Sequence, residues 1–218
     1  MSTIPVARLV LVAVTATLAA TRAEAGICIS VALQFASPAP SRTVIAALEQ
    51  EATTIWAPHD VELRWQAPVC AVEDGSFEVS VVRNVPGASS GLWVLGQTRL
   101  QLAGIDRVPV VIDYHAVETA LASLTLDQVA TTVGHWPLNR RELGRALGRV
   151  LAHEIGHVLL GLPNHQRQGL MRRSFGPMEL VFPTGWRYRL SPLEIDRLRH
   201  RIRWIIANRI RRGLPDDE

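Results

Sequence analysis

The sequence contains no lysine: all 23 basic residues are arginine, set against 20 acidic ones. The formal charge is only +3, so no dense basic footprint for nucleic acid is present. Two cysteines are too few for a cysteine-rich metal module or a disulfide-dense miniprotein. No apolar run approaches the roughly 20 residues a membrane-spanning helix needs. No repeat recurs at solenoid periods, and no phosphate loop, dinucleotide fingerprint or Ser-His-Asp nucleophile motif occurs. What is present is ordinary globular composition, 48% hydrophobic and 20% charged over 218 residues, enough for one domain.

The first 25 residues read as an address. Arg8 supplies a positive start, Leu9 to Ala20 an apolar run of about 12 residues, and Ala23-Glu24-Ala25 a small-x-small cleavage signal. We expect a secretory signal over 1–25 and a single domain over 26–218. The expected location is secreted or periplasmic, with no stable membrane insertion after cleavage. In an oxidising compartment the only two cysteines, Cys28 and Cys70, are expected to pair. The bridge would close a loop of about 43 residues, worth roughly 4 kcal/mol on the chain-entropy estimate.

Along the mature chain, Ile27 to Leu33 reads as a buried strand, and Ser41 as the cap of a helix running to Trp56. Val61 to Trp65 and Phe77 to Val81 alternate like strands. Leu92 to Leu102 suggests an edge strand broken at Gly96, and Val108 to Asp113 an interior strand. Val117 to Val133 looks helical but broken. Asn139 with Glu142 three residues later predicts the start of a helix of about 21 residues that Gly161 and Pro163 end. Ser191, Pro192 and Glu194 open a last helix with a basic face over Ile195, Leu198, Ile202, Ile205 and Ile206. This order predicts an α+β fold: a twisted mixed sheet backed by helices.

Near the end of the long helix stands His153-Glu154-Ile155-Gly156-His157. Histidines at i and i+4 share one helical face, so both imidazoles reach a single ion. Glu154 is displaced about 100° around the helix and faces the site without being a ligand. Catalytic zinc takes three protein ligands and leaves a position for water, whose pKa it lowers to about 7. Glu154 then has the position of a general base. Three candidates stand open for the third ligand. His165 follows after a short loop; Glu179 lies further on, and after it Glu194, which the last helix explains as a capping residue.

The run His153 to His165, HEIGHVLLGLPNH, resembles the zinc-binding stretch HExxHxxGxxH of metzincin peptidases. Gly169-Leu170-Met171 resembles the family's Met-turn, and the strand order before the motif resembles its upper domain. A group of secreted bacterial proteins with HExGHxLLG…H…G[IL]M looks closer still, from about Val94 to Met171. The resemblance implies a zincin-like fold, with Zn2+ held by His153, His157 and His165. It also implies hydrolysis of peptide or protein substrates with Glu154 as the base. The spacing departs from the family: Gly161 falls four residues after His157 instead of three, and His165 eight instead of six. Pro163, which cannot bind zinc, stands at the family's ligand position.

The expected activity is therefore that of a secreted zinc metalloendopeptidase, with the edge strand near Leu92 to Gly96 pairing extended substrate. Nucleic acid is not an expected partner. The alternatives are a non-catalytic zinc-binding or interaction module with the same fold, and a hydrolase of non-peptide amides. An intact Glu154 favours the enzyme, since a structural site has no need of a base. Tyr188 is a candidate oxyanion donor or else a packed aromatic, and His115 a candidate cleft residue or else a structural one.

Overall fold

Apolar residues recur at every second position of β1 (Ile27–Phe35), and Ile27, Ile29, Val31 and Leu33 turn inward in the computed structural model. The same period places Phe77, Val79 and Val81 of β3 (Gly75–Val82) and Val108, Val110 and Ile112 of β5 (Val108–Asp113) in the core. Ala32, Gln34 and Glu78, at the intervening positions, are exposed. With β2 (Val61–Trp65) and β4 (Gly96–Thr98) the sheet has the order β2-β1-β3-β5-β4. All pairings are parallel except that of β4 with β5, which sets Gly96 opposite Ile112 and leaves β4 at an edge. The structure describes residues 26–66, 75–83, 95–98, 108–123, 139–163, 165–182 and 185–213.

Among the described residues, α1 (Arg42–Trp56), α2 (Tyr114–Ala122), α3 (Arg140–Leu160), α4 (Pro177–Val181) and α5 (Pro192–Gly213) complete the mixed fold. The α+β expectation holds. α1 and α3 pack closely because α3 offers no side chain at Gly148: a Cβ there would stand 2.6 Å from the Leu48 carbonyl oxygen. None of the helices among the described residues is long and apolar enough to cross a membrane.

The structure corrects some local expectations. Ser41 occupies the N-cap position of α1, but its side chain makes no capping hydrogen bond. The helix expected from Val117 begins earlier, at Tyr114. The Asp113 carboxylate there accepts from the Ala116 N–H at 2.9 Å. Its expected continuation past residue 123 lies outside the described residues, as do Cys70 and positions 92–94 and 99–102 of the expected edge strand. The basic face of α5 is seen at Arg197, Arg199 and Arg203, which are exposed, over buried Leu198, Ile202 and Ile205.

Candidate metal centre

A complete capping box starts α3. Asn139 Oδ1 accepts from the Glu142 N–H at 3.0 Å, and the Asn139 N–H donates to Glu142 Oε2 at 3.2 Å. Two orphan donors are thereby satisfied, and the helix runs its full 21 residues into the core. It stops at Gly161, whose φ of 60° is left-handed and costs glycine little. The chain reverses there, and the Leu162 N–H donates back to the His157 carbonyl at 3.1 Å.

That reversal orients a side chain. The Leu162 carbonyl accepts from His157 Nδ1 at 2.6 Å, and the Leu170 carbonyl accepts from His153 Nδ1 at 2.7 Å. A carbonyl only accepts, so both Nδ1 atoms carry the proton and both Nε2 atoms of the neutral rings present lone pairs. Those Nε2 atoms lie 3.1 Å apart. Burial pushes His153 down to about 4, with the neighbouring His157 and His165 adding to the effect against the Leu170 hydrogen bond. Burial lowers His157 as well. Two neutral imidazoles are thus fixed with their lone pairs converging.

The longer loop still delivers His165. The Gln166 N–H donates to the Met171 carbonyl at 2.7 Å, closing the loop on the segment that carries Leu170. The His165 ring stacks on His153 at 5.2 Å between centroids and meets His157 edge-on at 4.9 Å. One ligand atom from each of the three histidines lies within 4.8 Å of the other two. Burial, His157 and Arg173 together lower His165. Two corners of a tetrahedron with zinc–nitrogen bonds of about 2.0–2.1 Å lie about 3.3 Å apart. The His153–His157 separation, the converging lone pairs and the all-imidazole donor set therefore fit a zinc ion.

Beneath the histidines the packing leaves no slack. Met171 is fully buried against α3 where Gly156 stands between His153 and His157. A Cβ at residue 156 would lie 3.2 Å from Met171 Cε and closer still to its sulfur. Trp56 reaches across from α1 and donates its Nε1–H to the Ala152 carbonyl at 3.2 Å. Phe175 meets the His153 ring edge-on at 5.6 Å.

Glu154 is buried, and burial pushes its carboxyl up to about 8. A divalent cation in the histidine cluster would draw it back down. The edge strand flanks it: a Cβ at Gly96 would stand 2.9 Å from Glu154 Cγ and from its Oε1. Any larger residue at 96 would displace the carboxylate.

The rival third ligand is committed elsewhere. Glu179 accepts from the Gly176 N–H at 2.8 Å and from Arg172 and Arg187. Burial alone would raise its carboxyl, but these donors outweigh it and hold it below the ordinary range. Glu194 closes the cap of α5 by accepting from the Ser191 N–H at 2.6 Å. Tyr188 is buried and donates its hydroxyl to the Glu179 carbonyl, so it is the packed aromatic, not an oxyanion donor. His115 is exposed beside Glu118 and is not one of the three clustered histidines.

Three contributors escaped the reading of the sequence. Gly96 reads from sequence as a break in an edge strand that pairs substrate, not as the residue against which Glu154 packs. The Leu162 and Leu170 carbonyls are backbone groups with no sequence signal. Arg149, one turn before His153, is buried. It pairs with Glu51 at 2.7 Å and donates to the carbonyls of Glu179, Leu180 and Phe182 at 2.9–3.1 Å. Its guanidinium also lies over the Tyr188 ring at 4.8 Å. A charge inside the apolar stripe of α3 was the available signal.

No family model matches the sequence, and no curated protein matches it. Among solved structures, the chain is similar to archaemetzincin from Methanopyrus kandleri, at 12% identity and a TM-score of 0.48, over 84% of this chain and 99% of that one. It is also similar to the ECX AB5 holotoxin in its GM1-bound form, at 19% identity and a TM-score of 0.40, over 80% and 70% of the respective chains.

Proposed function

We propose that this chain is a zinc-dependent peptidase in which His153, His157 and His165 hold the ion and Glu154 is the general base. The supporting observation is the convergence of three imidazoles in a cluster whose helix also carries the buried Glu154 carboxylate. A zinc ion held there would supply Lewis acidity toward a carbonyl and acidify a water.

The chain's own groups do the rest. Glu154 takes the proton of the attacking water on its carboxylate and hands it to the leaving amine. The Leu162 and Leu170 carbonyls keep each Nδ1 protonated and each Nε2 free to ligate. Among the described residues no strand pairs with the outer side of β4, which leaves that edge to an extended peptide, and Gly96 places the strand directly against Glu154.

Export belongs to the same proposal, through residues 1–25 and a Cys28–Cys70 bridge. Cys28 lies on β1 opposite Glu62 of β2. Digestion of a peptide library by the purified mature protein tests the activity. Cleavage is expected with zinc and not after chelation; a zinc-replete protein that cuts nothing would contradict it.

A further inference from the structure

Beside the histidine cluster opens a cavity of about 680 Å³ lined by His165, Gln166, Arg167, Arg172, Arg173 and Ser174. No acidic residue occurs in the sequence between Glu154 and Glu179. Arg172 is already paired with Glu179, which it shares with Arg187, and donates its Nε–H to the Ser174 carbonyl at 2.6 Å. Arg167 and Arg173 differ. Both are exposed, and among the described residues neither makes a hydrogen bond or an ion pair. Arg173 is close enough to His165 to act on its charge. The cavity wall thus carries two guanidinium groups with no anionic partner among the described residues, next to His165.

We infer that this cavity is a carboxylate subsite, so that the peptidase favours peptides bearing a carboxylate within a residue or two of the bond cut. The inference rests on the peptidase reading above and adds its specificity. Guanidinium groups stay charged at every working pH and match a carboxylate with a two-pronged donor set. An uncharged peptide gains nothing there, and a basic one is repelled. Because both arginines face water, each contact is worth about 1 kcal/mol at most, or about fivefold in affinity. The carboxylate comes either from an Asp or Glu side chain or from a free C-terminus.

The test uses full mature Glu154→Gln protein loaded with zinc, which binds substrate without turnover. Three labelled peptides of one length are titrated by fluorescence anisotropy. One carries Asp and Glu around its centre with an amidated C-terminus, one is uncharged and amidated, and one is uncharged with a free C-terminus. At least one carboxylate-bearing peptide should bind about fivefold or more tightly than the uncharged amidated one, and which of the two does so identifies the source. Adding Arg167→Glu and Arg173→Glu should abolish or invert the preference while zinc content per chain is retained. Should that variant fail to fold, Arg167→Gln with Arg173→Gln should abolish the preference without inverting it. Equal binding of all three peptides, or a preference that survives these substitutions, overturns the inference. If wild-type zinc protein cuts uncharged peptides without favouring carboxylates, the subsite alone fails. If nothing is bound or cut, the peptidase reading fails with it.

Discussion

His153 and His157 hold their Nε2 atoms 3.1 Å apart while each Nδ1–H is donated to a carbonyl. Neither Nε2 then has a proton to give the other, so the pair is two converging lone pairs and not a hydrogen bond. Such an arrangement is unfavourable unless a cation lies between the rings. Burial keeps both rings neutral, which removes the proton as that cation at neutral pH.

Glu154→Gln should keep zinc and lose hydrolysis. The amide preserves the shape that fits against Gly96 but does not accept the water's proton. General-base catalysis contributes about 10²–10⁴-fold, and turnover should fall by that order. Turnover near the wild-type value, with zinc still bound, would remove Glu154 from the mechanism.

Gly156→Ala should lower stability by up to about 2 kcal/mol. Overpacking of Met171 costs about 1–3 kcal/mol, partly offset by the roughly 1 kcal/mol that alanine contributes in a helix. Urea unfolding of the two proteins measures it. A stabilised variant would show that Met171 has room to move.

Glu179→Gln should destabilise the fold by about 1 kcal/mol near neutrality while leaving zinc affinity almost unchanged. The folded carboxyl sits below its ordinary value, so its contribution is complete above the unfolded pKa of about 4.3 and fades as pH falls through the lowered folded value. The gap between wild type and variant should therefore close at acid pH. His165→Ala should do the reverse, weakening zinc binding strongly. Zinc dissociation constants in the opposite order would transfer the third ligand to Glu179.

Thiol titration of mature protein recovered from an oxidising compartment should find no free thiol in the unfolded, unreduced chain. Two titratable thiols would refute the Cys28–Cys70 bridge.

The long helix and its motif were legible because each signal is local. Asn139 and Glu142 make their capping box within one turn, Gly161 makes its own turn, and a four-residue spacing puts two histidines on one face. Alternation marked Val61 to Trp65 and Phe77 to Val81, and a β-branched run marked Val108 to Asp113. The site's supports were not legible, because they depend on which distant backbones meet. Nothing near Gly96 in sequence says that Glu154 packs on it, and nothing near His153 names the Leu170 carbonyl. Glu179 remained a rival ligand on sequence for the same reason: its arginine partners come from opposite sides, Arg172 before it and Arg187 after it.

X-ray absorption at the zinc edge, on mature protein purified without chelators, tests the centre most directly. One zinc per chain is expected, with scattering from three imidazoles and a light-atom ligand at about 2.0–2.1 Å. Protein that takes up no zinc, or a zinc site with only two imidazoles, would contradict the assignment of His153, His157 and His165.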